Sequence, residues 1–317
     1  MHSIFSYLTT TTRNILLILL ALVFSSSTFA DEDLYPLTVT DDLGNTLVIA
    51  APPTKISSKM LFTDELLIEL VETERLSSLT QLSSDPTFSN IADTLPSGVN
   101  LLDMNVEQVI AHQPDLVFAA NWTDAGKVKQ LRDAGIAVYL IQTPFTLEEI
   151  QQKILTVGQI VGASNKAMAL VDRMNEQLRD NLIEPEKRVT AIDYNSWGAS
   201  STKNSTWHSV LTEAKVTNLV AEFEGDQYGQ AKMSKELVVK LNPQMMFIPG
   251  WIYGDAEAAE KFENQVRNDP AFSYVDAVKT NKVVSVPERL RGTYSHYIVD
   301  TILYINRAAY GSDHNDK

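Results

Sequence analysis

The 317-residue chain contains no cysteine and only five histidines. The first absence removes disulfides, thiolate metal sites and cysteine nucleophiles together. It also removes the lipid-modified cysteine that tethers secreted proteins in Gram-positive bacteria. The histidines stand at His2, His112, His208, His296 and His314. No two share a metal-binding spacing, so a receptor for free Zn²⁺ or Mn²⁺ is not expected. His112 closes a predicted helix, a position for a structural histidine, and His208 sits beside a helix start. There is no G-x-S-x-G elbow, no Walker loop and no Rossmann glycine fingerprint, so no catalytic apparatus is recognisable. Positive charge is also short: 26 basic residues face 40 acidic ones, a formal charge of −14. A field of that sign repels nucleic acid and anionic lipid and suits a cationic partner surface.

Long apolar runs are absent except for one. Arg13 precedes "ILLILLALVF" (Ile15 to Phe24), and "SSSTFA" supplies small residues before Asp31. One positive charge, about ten apolar residues and a small-residue exit describe a secretory signal peptide cleaved after Ala30. Ten apolar residues are well short of the roughly 20 that span a bilayer. Removing Arg13 with this segment leaves 25 basic against 40 acidic residues, a formal charge of −15. About 287 residues remain, enough for two ordinary domains. The expected compartment is a bacterial periplasm.

What is present is a repeat. "MNVEQVIAHQPDLVFAANW" (Met104 to Trp122) and "MSKELVVKLNPQMMFIPGW" (Met233 to Trp251) align at a constant offset of 129. They match at Met104/Met233, Glu107/Glu236, Pro114/Pro243, Phe118/Phe247 and Trp122/Trp251. Each reads as a short amphipathic helix, a proline turn, and an apolar strand ending on tryptophan.

Around this repeat the pattern alternates. "YPLTVTDDLGNTLVIAAPP" reads as a β-hairpin about "DLGN". "TKISSKM" and "LSSLTQL" read as strands on either side of a helix "TDELLIELVE", with Thr63 as its cap and Glu65 and Leu66 in its first turn. "AGKVKQLRDAG" reads as a helix closed by Gly135, and "IAVYLI" as a strand. From Thr146 to about Leu182 the period is 3.6, with Gly162 marking a break and Ser164 a new helix cap. "RVTAIDYNSW", "TWHSVLTEA", the second repeat and "KVVSVP" then restart the alternation, and a final helix is expected from about Tyr294 to Tyr310. The predicted fold is α/β: two similar parallel-sheet lobes joined by a long helical connector, with a ligand cleft between them. The expected divisions are a signal peptide 1–30, an N-terminal lobe 31–145, a connector 146–186 and a C-terminal lobe 187–317. Ligands of open parallel sheets bind beyond the carboxyl ends of the strands, where Trp122 and Trp251 stand.

The segments "VTDDLGNTLVI", "LSSDPTFSNI", "VEQVIAHQPDLVFA", "LRDAGIAVYLI" and "KELVVKLNPQMMFI", in this order, resemble the class III, helical-backbone substrate-binding proteins of ABC importers. That family serves iron–siderophore complexes, cobalamin and haem. The resemblance covers nearly the whole chain after residue 30 and implies small lobe closure on ligand. It also implies that Glu107 and Glu236, one per lobe, dock into arginine pockets on an inner-membrane permease dimer. Solvated glutamates near helix N-termini are the bland reading of the same pair.

Near predicted strand ends stand Trp122, Tyr194, Trp197, Tyr228, Trp251 and Tyr253, with Arg289, Arg291, Tyr294 and His296 in "PERLRGTYSHY". Aromatic faces suit a bulky, partly apolar ligand, and arginines pair with carboxylate, phenolate or catecholate oxygens. The expected ligand-binding set is Trp122, Trp197, Tyr228, Trp251, Arg289, Arg291, Tyr294 and His296. Tyr294 or His296 could contact an Fe(III) left open by a chelator. Trp207, Tyr297 and Tyr304 read as core residues.

In haem-binding relatives a ligating tyrosine precedes the first docking glutamate. "SGVNLLDMN" has none, which weakens haem. The arginine-plus-aromatic content favours a ferric siderophore, with cobalamin or haem as alternatives and no intrinsic cofactor. A monomeric receptor is expected. A secreted ligand-binding module without a transporter is the reading from another class, and only Glu107 and Glu236 argue against it.

Overall fold

The computed structural model describes residues 34–254 and 257–311. The expected signal segment, His2 and His314 lie outside them. The chain opens with the expected hairpin of β1 (Leu37–Thr40) and β2 (Thr46–Ile49). Its turn is held by the Asp41 carboxylate, which accepts from the backbone N–H of Leu43 and Asn45, and Gly44 supplies the positive φ of 84°.

The first lobe is then wound from β3 (Ile56–Lys59), α1 (Leu61–Leu70), β4 (Leu76–Ser78), α2 (Val106–Ala111), β5 (Leu116–Ala120), α3 (Ala125–Asp133) and β6 (Ala137–Ile141). Its sheet is parallel with order β4-β3-β5-β6. The second lobe holds β7 (Thr190–Asp193), α6 (Thr206–Glu213), β9 (Thr217–Asn218), α7 (Lys235–Leu241), β11 (Met245–Pro249), α8 (Ala258–Asn268), α9 (Asp276–Lys279), β12 (Val283–Val286), α10 (Glu288–Arg291) and α11 (Ile298–Tyr310). Its parallel sheet runs β12-β11-β7-β9. A two-stranded ribbon of β8 (Ala199–Ser201) and β10 (Gln230–Lys232) is added to it.

The two windings are the same. In each lobe the chain steps outward by one strand, returns across its starting strand, and steps outward again. The reversal falls between β3 and β5 in one lobe and between β7 and β11 in the other. The repeat predicted from sequence holds to the residue: β5 and β11 start 129 positions apart, at Leu116 and Met245, and α2 and α7 do so at Val106 and Lys235. Asn105 and Ser234 cap these helices, accepting from the N–H of Gln108 and Leu237.

Alternation along the repeated strands decides which core each side chain enters. Leu116, Phe118 and Ala120 of β5 join Met245 and Phe247 of β11 in one apolar cluster that runs through both lobes. Val117 and Ala119 face a second cluster, and Met246 and Ile248 a third, one on the outer side of each sheet. The shared cluster is completed by Ile150, Ile154 and Val157 of α4 (Leu147–Ile160), Leu170 and Met174 of α5 (Ser164–Asn181), and Ile298, Ile302 and Ile305 of α11. The connector is thus a pair of packed helices. It is fastened to the first lobe where Arg75 donates to Val161 O at 2.6 Å and Tyr35 Oη to Ile160 O at 3.0 Å. Buried Asn306 fastens its far end, accepting from Ile183 N and donating to Ala214 O.

Three helix starts differ from expectation. Helix α5 begins at Ser164 itself, with Ala163 as its cap residue and no side-chain cap bond. Helix α1 starts at Leu61, not Thr63; Met60 is its cap residue with no side-chain cap bond. The Thr63 hydroxyl is instead buried against Ser58 Oγ at 2.6 Å and Met60 O at 3.1 Å, so competing local hydrogen bonds take it from the capping role. The last helix starts at Ile298, not Tyr294, because Thr293 and Ser295 turn toward a side chain of α1 described below.

Helices α4 and α5 meet at Gly158, where an added Cβ would lie 2.3 Å from Ala167 Cβ. Gly158→Ala is therefore expected to destabilise by about 1–3 kcal/mol by overpacking, although the alanine itself favours helix by about 1 kcal/mol. In urea unfolding, Gly158→Ala with Ala167→Gly should recover most of that loss. An unchanged midpoint in the single variant would mean that the helices are not held at this contact.

Candidate functional site

The carboxyl ends of the strands face a hollow between the lobes. Its cavity of about 430 Å³ is walled by Lys59 to Phe62, Glu65, Thr80, Leu82, Phe88, Ala120, Trp122 and Thr123 from the first lobe. Glu288, Gly292, Thr293 and Tyr294 close it from the second. Lys59 ends β3 and Ala120 ends β5, so the two strands that flank the chain reversal supply its floor. That is where an open parallel sheet binds its ligand. A hollow of about 460 Å³ lies elsewhere, between the hairpin and α4, but one lobe alone lines it with its connector helix, and its Lys153 is paired with Asp42.

A polar joint borders the cavity and ties the lobes together. Glu65, on α1, is almost wholly buried. One carboxylate oxygen accepts from the backbone and side-chain nitrogens of Asn90, both at 3.0 Å. The other accepts from Thr293 Oγ1 at 3.3 Å and from Ser295 Oγ of the opposite lobe. Burial raises the Glu65 pKa, and these donors oppose the rise. Asp64 beside it is fully buried, accepts from Thr80 N and Oγ1, and has its pKa raised to about 6 by burial. Across the same seam Phe88 meets Trp251 edge-on, with ring centroids 4.8 Å apart.

Of the residues expected to meet ligand, Trp122 and Tyr294 line this cavity. Trp122 is 66 % exposed, an uncommitted aromatic face at the strand end. Burial raises the Tyr294 phenol pKa and Glu288 adds to the rise, which disfavours a phenolate at neutral pH. Trp251 reaches the cavity wall through Phe88. Trp197 is 89 % exposed on the β7–β8 turn, where Gly198 takes a positive φ of 68° and Asn195 Oδ1 receives Trp197 N. Tyr228 is exposed beyond the opposite end of the β8–β10 ladder. Neither is in the cavity wall.

The arginines are engaged elsewhere. Arg289 and Asn90 exchange hydrogen bonds between the lobes, Asn90 Nδ2 donating to Arg289 O at 3.0 Å. The Arg289 side chain also lines an outer groove with Asp300, Tyr304 and Arg307. Arg291 pairs with fully buried Asp193 at 3.4 Å and lies over the Trp207 ring at 5.1 Å. Asp193 is further held by Ser200 and Ser201. His296 is buried and packed on Tyr297 at 4.1 Å, with its pKa lowered to about 4 by desolvation. It is a neutral packing residue outside the cavity wall.

Two residues of the wall carried no functional signal in the sequence. Lys59 closes a short strand, and its Nζ donates to Ser78 Oγ at 3.0 Å and Leu102 O at 2.9 Å. Burial lowers its pKa to about 8, against the pull of Asp64 and Asp103. Glu288 opens α10 on the other wall, its pKa raised by burial and pulled back by Arg291.

Glu107 and Glu236 are both exposed in the first turns of α2 and α7. Lys127, at the start of α3, donates to Met104 O, so the start of α2 lies beside the helix that follows Trp122. The repeat therefore places each glutamate at the carboxyl-end side of its sheet. His112 caps the end of α2 through Nδ1 and Gln108 O at 2.8 Å, a structural role.

Two like-wound parallel sheets, clasped by a helical pair and facing each other over a seam, define a two-lobed binding protein. The chain belongs to the periplasmic binding protein family, whose profile matches residues 57–290. It is 27 % identical over 265 residues to the uncharacterized ABC transporter substrate-binding lipoprotein YvrC of Bacillus subtilis, covering 80 % of this chain and 79 % of that one. It is 22 % identical over 258 residues to a cobalamin-binding protein of Halobacterium salinarum, covering 78 % and 69 %. Among solved structures, a Staphylococcus epidermidis protein described as a possible iron-binding periplasmic solute-binding protein superposes with a TM-score of 0.70 at 18 % identity, covering 82 % of this chain and 99 % of that one. The family consists of substrate-binding transport proteins and implies a membrane permease as partner. Among the described residues no helix is long and apolar enough to cross a membrane.

The Glu65 joint has a measurable consequence. Glu65→Ala strands the donors of Asn90, Thr293 and Ser295 in a buried seam and should cost about 2–4 kcal/mol of unfolding free energy. Amide exchange should rise at residues 88–91 and 292–297 together, since the two segments share one acceptor. Exchange confined to one of them would show that the carboxylate does not couple the lobes.

Proposed function

We propose that the protein captures a bulky, near-neutral metal chelate between its lobes and passes it to a membrane permease, a corrinoid being the first candidate. The charge balance of the cleft carries this reading: among the described residues, Lys59 is the one basic residue of the cavity wall, and Glu65 and Glu288 are its acids. A ferric tris-catecholate carries three negative charges and needs several cations around it. Arg289 and Arg291, which favoured such a siderophore at the level of sequence, stand outside the cavity wall, next to Asn90 and Asp193. Apolar and aromatic walls from Met60, Leu61, Phe62, Leu82, Phe88 and Trp122 suit a large organic ligand with little net charge. The cobalamin-binding relatives in Halobacterium salinarum support the same reading. A ferric siderophore is the second reading, narrowed to uncharged trihydroxamate complexes. Haem fits less well, because its propionates also call for cations.

Delivery rests on Glu107 and Glu236. Both are exposed, both lie in first turns, and the 129-residue repeat relates them, as two half-sites for a two-fold symmetric permease. The periplasm, a signal peptide over residues 1–30 and a monomer complete the proposal. A scavenger without a transporter would have no use for the paired glutamates.

Titration of tryptophan fluorescence with cyanocobalamin, a ferric trihydroxamate, a ferric tris-catecholate and haemin tests the ligand class. Quenching by either near-neutral chelate, with Trp122→Ala weakening it by roughly 1–2 kcal/mol, is the expected result. Tight binding of the tris-catecholate alone would overturn the reading. Glu107→Arg with Glu236→Arg should leave that titration unchanged, yet abolish stimulation of the importer's ATPase in proteoliposomes, and each single change should give a partial loss. Normal stimulation by the double variant would remove the docking role.

A further inference from the structure

Lys59 stands out among the charged groups of the cleft because its ammonium is only partly committed. Of three N–H donors, one goes to Ser78 Oγ and one to Leu102 O. No ion pair engages Lys59 among the described residues; Asp64 and Asp103 act on it at longer range. Asp64 is occupied by Thr80, and Glu65 by Asn90, Thr293 and Ser295. The third ammonium donor sits on a cavity wall with no protein acceptor among the described residues.

The opposite wall presents the complement. Glu288 lines the same cavity from the second lobe, is half-buried, and has no side-chain hydrogen-bond partner among the described residues. Its neighbour Tyr294, also in the wall, is a neutral phenol. A cavity of about 430 Å³ thus offers one uncommitted donor from β3 and one uncommitted acceptor from α10. Opposed charges that do not meet each other leave the site open to a ligand group carrying both an oxygen acceptor and an N–H donor.

Resting on the proposed chelate receptor, we infer that Lys59 and Glu288 grip the polar edge of the ligand from the two lobes. The ammonium donates to a ligand oxygen and the carboxylate accepts from a ligand N–H. The pair selects uncharged primary carboxamides, the groups that edge a corrinoid, over free carboxylates. A carboxylate would satisfy Lys59 but leave Glu288 facing a like charge, and burial strengthens that repulsion.

This grip predicts a pH signature. In the free protein the ammonium begins to lose its proton near pH 8. A bound oxygen favours the charged form and raises that value, so affinity is full below pH 8 and falls above it, by up to tenfold per pH unit. Asp64, Asp103, Glu65, Glu288 and Tyr294 are the other titratable groups around it. Burial brings the Asp64 carboxyl to about 6, below this range, and raises the Tyr294 phenol, so the alkaline limb is assigned to Lys59.

The test compares cyanocobalamin, its monocarboxylate made by hydrolysis of one peripheral amide, and a ferric trihydroxamate, each titrated from pH 6.5 to 9.5. Wild type is expected to prefer cyanocobalamin to the monocarboxylate about tenfold and to lose affinity above pH 8. Lys59→Met should weaken cyanocobalamin about tenfold and remove the alkaline limb. Lys59→Arg, which keeps the charge and donors, should bind at pH 7 and also lack the limb. Glu288→Gln should abolish the preference against the monocarboxylate. If wild type binds cyanocobalamin while all three variants keep its affinity, preference and pH profile, the grip is refuted and the receptor reading stands. Binding of the trihydroxamate alone refutes the carboxamide edge and leaves the chelate reading intact. Binding of none of the probes refutes both.

Discussion

One apolar core serves both lobes, and the rest of the structure depends on it. Each sheet turns one face into the same cluster, where Phe118 and Phe247 occupy equivalent positions among α4, α5 and α11. Rotating one lobe against the other would open that cluster to water, at about 25 cal/mol for each square ångström of apolar surface exposed. Hinge-closing receptors have a narrow linker that can flex. Here the linker is a helical pair pinned by Arg75 and Tyr35 at one end and Asn306 at the other, so the cleft is largely preformed.

The polar joint adds specificity of alignment to this apolar attachment. Buried Glu65 is costly to ionise, and only donors from both lobes together make its site tolerable. The geometry that satisfies it sets Thr293 and Tyr294 beside Phe88, and so positions the second lobe's half of the cavity wall. Rigidity and binding geometry therefore have the same origin. In the proposed reading, recognition falls to side chains on a stiff frame: Trp122 with an exposed aromatic face, and Lys59 and Glu288 on opposite walls of the cavity. The paired glutamates on α2 and α7 take the same frame outward, so a fixed spacing between them is available to a symmetric partner.

Periodicity and local signals made most of the frame legible. The 129-residue repeat, the 3.6-residue period of the connector, and the alternation around "DLGN" depend on neighbours in sequence, and each appears where expected. The absence of cysteine and the scarcity of histidine likewise bound the chemistry without any coordinates. Helix starts moved where a hydroxyl found a partner outside the helix, whether near or far along the chain. Thr63 has the chemistry of a helix cap, yet Ser58 takes its hydroxyl; Tyr294 begins a helical pattern, yet Thr293 and Ser295 answer Glu65 more than 200 residues away.

The site divides in the same way. Strand ends and repeated tryptophans can be found from sequence because they follow from where elements stop. Which charges remain available cannot be found so, because availability is a property of what else is nearby. Arg289 and Arg291 are as basic in sequence as Lys59, but both stand outside the cavity wall, Arg291 with a buried Nη1 that has no hydrogen-bond partner among the described residues, while β3 delivers Lys59 to the cavity with a donor unspent. The sequence by itself determined the elements, their repetition and the lobed α/β class, since these rest on local propensity and hydrophobic period. Only the tertiary structure decided which polar groups cancel and which face the cavity, because electrostatic pairing and burial are set by three-dimensional neighbours.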